Sequence, residues 1–201
     1  MSRYIGPLNK RARAIGQDLG LKTNSVKVAR RLTVGPGQHG AKQRRKHSDF
    51  GIQLKEKQKL RFIYGITERQ LHKMYQAATK SKESTGEQLL ALLELRLDNV
   101  IYRLGWAPTR AAARQLVSHC HVQVNAKKMS IASYQCHIDD VITITKKGLG
   151  IPQIDQMVKE ELDQPAWLQK KSTVGKVARL PERIDIAEAI EEQLVVEYYS
   201  R

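Results

Sequence analysis

The sequence predicts an α+β protein: a mainly helical domain split in two, an inserted module of two helices and a small twisted antiparallel sheet, and a basic, irregular N-terminal segment. Three observations lead there. Apolar stripes at helical spacing, most of them opened by a capping residue, run from Ser48 to Cys120. Period-two alternation begins only at Val122. The last forty or so residues carry too many apolar side chains to stand free, and so need a surface to dock on. The expected organisation is a basic extension over residues 1–47, a helical domain over 48–96, the module over 97–150, and a segment over 151–201 that docks back on the helical domain.

Residues 1–47 show much charge, little periodicity and too few apolar residues for an independent core, which predicts a segment that orders on a partner. Within it, VGPGQHGAKQRRKH joins three glycines and a proline to four Lys or Arg residues, a backbone able to approach phosphates closely. It is not a P-loop, because no Gly-Lys-Ser/Thr follows at the required spacing. A solvated basic loop is the bland alternative.

Ser48 can cap a helix running to about Tyr64, with Phe50, Leu54 and Ile63 as anchors and Lys55, Lys57, Lys59 and Arg61 around them; Gly65 ends it. Thr67 with Gln70 makes a capping box for a helix whose Leu71, Met74, Tyr75 and Ala78 form one stripe. A second box, Thr85 with Gln88, opens a leucine-rich helix too apolar for a single face, which predicts the buried centre of the domain.

In the module, Leu97, Val100, Ile101 and Leu104 fall on one side of a helix, leaving Arg96, Asn99 and Arg103 on a side expected to be free for binding. Thr109 caps a second helix with Ala113, Leu116, Val117 and Cys120 inward and Arg110, Arg114, Ser118 and His121 opposite. Val122 and Val124 alternate with polar residues, Ala126-Lys127-Lys128 makes a basic turn, and Val141, Ile142 and Ile144 supply a closing strand. Gly and Pro between Lys146 and Pro152 read as a boundary, followed by a short polar helix near Ile154 to Leu162 and a last helix around Ile186 to Leu194.

The formal net charge is +15, and all of it is local: residues 1–80 hold 19 basic and 4 acidic side chains, while residues 81–201 hold 16 of each. A polyanion, nucleic acid first, is the partner that such asymmetry predicts. No apolar run is long enough to span a bilayer, and the N-terminus lacks the core of a signal peptide, so a soluble intracellular chain without membrane partners is expected. A transit peptide is a rival reading of the first residues, opposed by the helix-breaking Gly6-Pro7. Neither Cys120 nor Cys136 belongs to a CxxC pair. Their cluster with His119, His121 and His137 reads as ordinary packing, with Cys120 in the core, rather than as a metal centre.

The run RLDNVIYRLGWAPTRAAARQLVSHCHVQVN resembles the RNA-binding module named after the fourth small-subunit ribosomal protein (S-four), which enzymes such as pseudouridine synthases also carry. The rest of the chain narrows this. SRYIGP, PGQHG, SDFGIQLKEKQKLRFIYGITERQ, TGEQLLALLELRLDNVIYRLG, TRAAARQLVSH, SIASYQ, PAWL, PERIDI and LVVEYYSR resemble motifs of the ribosomal S-four family, in family order. The resemblance implies a structural, non-enzymatic constituent of the small ribosomal subunit. Such a protein binds the 5′ domain of small-subunit rRNA early in assembly, sits beside two other small-subunit proteins where mRNA enters, contacts mRNA there, and bears on translational accuracy. The expected location is the cytoplasmic ribosome, with an organellar ribosome as the alternative.

Carried over by position, the resemblance implies RNA contacts by Arg3, Tyr4, Lys42, Arg44, Arg45, Lys55, Lys57, Lys59, Arg61 and Arg69, and in the module by Arg110, Arg114, Gln115, Ser118, His119, Asn125 and Lys127. Side chains of these types donate to phosphates and read the shape of folded RNA. The zinc-holding cysteines of some members are absent, so no metal or cofactor is expected. Ala126 stands where the family usually has glycine, a less comfortable residue for a left-handed turn, and Ala112 stands where many members have a glutamate that completes a capping box. The competing readings are an RNA-modifying enzyme, for which no acid/base pair or nucleophile motif stands out, and a free RNA-binding repressor.

Overall fold

The computed structural model describes residues 4–41, 48–81, 84–160 and 164–201. The chain divides into two compact units, one of Met1–Gly86 with Ala189–Arg201 and one of Glu87–Glu188. The helical unit is thus discontinuous in sequence, and the second unit is inserted into it.

The first unit begins with helices α1 (Leu8–Ile15) and α2 (Ser25–Ala29), and Ala12, Ile15, Leu19 and Val28 are buried. The described part of the N-terminal segment is therefore folded, unlike the partner-ordered extension that its composition suggests. Only Ala12 and Ile15 of α1 and Val28 of α2 are buried, too few apolar anchors to stand out among the charges. Arg13 ties the glycine-rich loop to α1, donating from Nε to the Val34 carbonyl (2.9 Å) and from an Nη to that of Gly35 (2.8 Å). A Cβ on Gly40 would lie 1.9 Å from the Gly35 oxygen, so here glycine serves close packing of two backbone segments.

Helix α3 (Asp49–Ile63) starts where expected, with Ser48 Oγ accepting from the Gly51 amide at 3.3 Å. It buries Gln53, Lys57 and Lys59 together with Leu60 and Ile63, whereas Phe50 is exposed. The Thr67/Gln70 capping box opens α4 (Glu68–Ala78), and Leu71, Tyr75 and Ala78 are its buried stripe. The last helix, α10, spans Glu192–Tyr199 and packs against α3 and α4. It lies further along the chain than its predicted position. Arg183–Asp185 instead form a short 3-10 turn in which Asp185 accepts from the Glu182 amide (2.9 Å) and from Arg179 (2.9 Å). Docking of α10 is polar and aromatic: Gln53 donates to Glu197 at 2.9 Å, the Tyr199 hydroxyl donates to Glu68 at 2.6 Å, and the Tyr75 and Tyr199 rings are 4.8 Å apart.

Helix α5 (Thr85–Glu94) contributes buried Leu89, Leu90 and Leu93, with Thr85 as the first helical residue rather than the cap before it. In the inserted unit α6 (Leu97–Arg103) and α7 (Arg110–Ser118) pack on each other, and Thr109 Oγ accepts from the Ala112 amide at 3.2 Å. Strands β1 (Val122–Val124), β2 (Lys127–Met129) and β3 (Val141–Ile144) follow. After α8 (Lys146–Leu149) and α9 (Pro152–Lys159) the chain adds β4 (Leu168–Lys171) and β5 (Val174–Val177), and all five strands form one antiparallel sheet in the order β2-β1-β3-β5-β4.

The sequence reading treats all of residues 151–201 as a segment docking on the helices of 48–96. In the structure β5 pairs with β3, setting Val141 opposite Lys176, and Trp167, Leu168 and Val177 join the core of the inserted unit. LQKK and VGKV alternate too weakly to announce strands. Gly175 lets β5 pack closely on α6, because a Cβ there would stand 2.5 Å from a Leu104 methyl that would have to shift.

At the β1–β2 hairpin Asn125 (φ 50°) and Ala126 (φ 64°) are both left-handed, as a two-residue type I′ turn demands. Asn125 is held there by its side chain, which donates to Asp140 (2.8 Å) and accepts from the Val141 amide (3.0 Å). Ala126 bears the steric cost of that conformation. Ala126→Gly is therefore expected to stabilise the protein by about 1 kcal/mol, seen as a higher denaturant midpoint at unchanged slope.

Candidate nucleic-acid interface

The inserted unit is built around an ion network that α5, α6 and α7 bring together. Fully buried Glu94, at the end of α5, accepts from both Nε (2.9 Å) and an Nη (2.7 Å) of Arg103 on α6. Arg103 also donates to Glu188 at 2.5 Å, and Arg110 of α7 donates to the other oxygen of that carboxylate. Asn99 bridges the helices, its amide nitrogen donating to Glu94 (2.8 Å) while its oxygen accepts from Arg110 Nε (2.7 Å). Buried Arg96 makes a two-pronged bond to Asp98, at 3.1 and 2.8 Å, and Arg114 approaches the same carboxylate at 3.5 Å. Four guanidiniums thus share three carboxylates.

This geometry corrects the expectation that Arg96, Asn99 and Arg103 form a side free for binding: Arg96 and Asn99 are buried, and Arg103 is engaged with two carboxylates. The apolar stripe of α6 is right, but the helix is buried on both sides. Sequence reasoning missed Glu94, Asp98 and Glu188. The available signal was acids alternating with leucines through Leu93-Glu94-Leu95-Arg96-Leu97-Asp98, a pattern that a solvated face does not produce. Burial alone would raise the Glu188 carboxyl, yet Arg110 and Arg103 outweigh it and hold the group down to about 2.

The residues implied as RNA contacts fall into distinct settings. Arg3, Lys42, Arg44 and Arg45 lie outside the described residues. Tyr4 is exposed, with the Arg11 guanidinium 3.6 Å over its ring. Lys55 is half-buried and Arg69 exposed. Lys57 and Lys59 are buried in ion pairs, to Glu68 (2.9 Å) and Glu56 (3.0 Å), and half-buried Arg61 reaches Glu68 at 3.4 Å. Burial pushes the Glu68 carboxyl up, but the bonds from Tyr199 and Lys57 prevail and leave it below the usual carboxylate range.

Within the inserted unit, Arg110 and Arg114 belong to the network, while Gln115, Ser118 and His119 are exposed at the outer side and end of α7, and Asn125 and Lys127 are exposed at the hairpin. Cys120 is exposed rather than in the core, because α7 stops at Ser118 and Cys120 itself turns left-handed (φ 60°). Cys136 is buried, and burial pushes its thiol up. Among the described residues no group of three or more His, Cys, Asp or Glu is placed to hold a metal ion, and no helix is long and apolar enough to cross a membrane.

A basic α+β chain with a two-helix, small-sheet module and a polar outer helix face defines a class of protein that binds folded nucleic acid. Comparison with known proteins narrows the class. The family described as ribosomal protein S4/S9 N-terminal domain matches residues 3–94, and the S4 domain matches residues 95–142. The chain is 47% identical to the small ribosomal subunit protein uS4 of Akkermansia muciniphila, with the whole of both chains covered. It is 50% identical to the small ribosomal subunit protein uS4B of Nitrosomonas europaea, covering all of this chain and 98% of that one. It is 46% identical to the uS4 protein of Parabacteroides distasonis, again over both full lengths. The chain belongs to this S4 family, a family of ribosomal proteins and not of enzymes.

The Glu188 carboxyl titrates lower in the folded chain than near 4.5, its ordinary value. Its contribution is therefore complete above that pH and disappears as pH falls toward about 2. Glu188→Gln is expected to cost on the order of 3 kcal/mol at neutral pH and to flatten the loss of stability between those limits. Denaturant unfolding as a function of pH measures both effects.

Proposed function

We propose that this protein is a structural constituent of the small ribosomal subunit that binds the 5′ domain of its rRNA and helps nucleate assembly of that part of the particle. In the same reading it lies beside other small-subunit proteins where mRNA enters, contacts mRNA there, and contributes to translational accuracy. The observation that carries the proposal is the full-length match to relatives named as small ribosomal subunit proteins. The basic excess of residues 1–80 supports it, since neutralising phosphates is the main source of affinity for RNA.

Two kinds of contact residue follow from the settings of the side chains. Tyr4, Lys55, Arg69, Gln115, Ser118, His119, Asn125 and Lys127, exposed or half-buried, are the direct contacts, and Lys128 joins them. Arg3, Lys42, Arg44 and Arg45 add to this set on the strength of the family resemblance and the basic character of their segment. Lys57, Lys59, Arg61, Arg110 and Arg114 act chiefly by holding their helices in shape through carboxylate partners while adding positive potential.

The test is the salt dependence of binding between the full chain and a transcript of the 5′ domain. Replacing Arg69, Lys127 and Lys128 together with Gln is expected to reduce the slope of log K against log salt by ~0.7 to 0.9 per lost phosphate contact. An unchanged slope removes these residues from the interface. If the unaltered protein shows no preference for the transcript over a polyanion of equal length, the proposed function itself is wrong. Tight binding to its own message with no association with small subunits would instead identify a free repressor.

A further inference from the structure

In the inserted unit, a cavity of about 170 Å³ opens between α7 and α9. Its floor is apolar and buried, made by Trp106, Leu116 and Ile154, and its rim is polar and exposed, made by Gln115, His119 and Gln153. No Lys, Arg, Asp or Glu lines it. A phosphate is therefore a poor occupant, since it meets no Lys or Arg there, only the imidazoles of His119 and His121, which carry a charge only when protonated, and a metal ion finds no carboxylate. The fit is to a flat, neutral, aromatic group with hydrogen-bonding edges. A protein cavity of about 150 Å³ holds benzene, so this one is wide enough to take a ring system of similar thickness.

The side-chain amides of Gln115 and Gln153 each offer a donor and an acceptor, the complement of a base edge that presents both side by side. The His119 ring adds a planar surface at the mouth. Gln115 and His119 also stand on the outer side of the helix that the proposed function turns toward RNA. Nothing in the sequence marks Gln153 or Met157, across the cavity on α9, as RNA contacts.

We propose that this cavity receives a single nucleobase of the bound RNA, turned out of its stack, with Gln115 and Gln153 reading its edge and Met157 closing one side. The base anchors the RNA in a fixed register on α7, which phosphate contacts alone do not specify. This inference rests on the RNA-binding function proposed above and adds to it a neutral, base-holding subsite.

Two variants of the full chain test it against a transcript of the 5′ domain: Met157→Trp, which fills the cavity, and Gln153→Ala, which removes one edge partner from an exposed position where folding is not at stake. Each is expected to weaken binding about tenfold while the slope of log K against log salt stays that of the unaltered protein, because a base carries no charge. Chemical probing should show one base shielded on its pairing edge in the normal complex and reactive in the complex with Gln153→Ala.

Unaltered affinity and base protection in the Gln153→Ala complex would overturn the inference, leaving the proposed function standing. A weakened complex with a shallower salt slope would also overturn it, by showing a phosphate site. Variants that bind the transcript normally but fail to enter assembled subunits would place a protein side chain in the cavity instead. Absence of any transcript preference in the unaltered protein defeats both proposals, and so separates the two failures.

Discussion

The inserted unit depends on one arrangement: carboxylates of Glu94, Asp98 and Glu188 set among the guanidiniums of Arg96, Arg103, Arg110 and Arg114. Burying a charge without a partner is prohibitive, and burying a pair is tolerable only when the geometry is good and the remaining hydrogen-bonding capacity is met. Here the fork of Arg103 lies on Glu94 and the Asn99 amide satisfies both neighbours. The network ties α5, α6 and α7 together by direction as well as by contact, because a guanidinium fork donates to a carboxylate only along its own plane. Hydrophobic packing of Val100, Ile101, Leu104, Ala113 and Val117 supplies the driving force, and the ions select one relative setting of the helices.

The helical unit repeats the solution on a smaller scale around Glu68, which takes Lys57, Arg61 and the Tyr199 hydroxyl. In a chain so rich in cations, these acids decide which basic side chains stay in the fold and which remain for a partner. Lys57 and Lys59 are buried on their acids, whereas Arg69, Lys127 and Lys128 point to solvent without burial. A count of Lys and Arg along the sequence cannot make that division, since it depends on acids far away in the chain: Glu188 meets Arg110 across 78 positions.

What the sequence made legible has a common physical character. Caps and stripes are local, so Ser48, Thr67 and Thr109 marked helix starts that the structure contains, and Val122 with Val124 marked a strand. The features that escaped are those whose cause lies elsewhere in the chain. Strands β4 and β5 exist because β3 offers an open edge, not because LQKK and VGKV have strong strand patterns. The burial of Arg96 follows from Asp98 and the surrounding core, and the helix at Glu192–Tyr199 follows from the surface of α3 and α4 that receives its tyrosines. Of the candidate contacts, Gln115, Ser118, His119, Asn125 and Lys127 are exposed, whereas Lys57 and Lys59 are buried and Arg110 and Arg114 are engaged with carboxylates.

The discontinuous helical unit has a consequence for biogenesis. Everything the central unit needs, from Glu87 to Glu188, is contiguous and leaves the ribosome that synthesises it before α10 does. Until Tyr199 is translated, the carboxylate of Glu68 lacks its phenol and the rings of Phe50 and Tyr75 lack their aromatic neighbours. The nascent chain is thus obliged to finish its middle before its beginning, holding an incomplete, strongly cationic front end in wait for the closing helix.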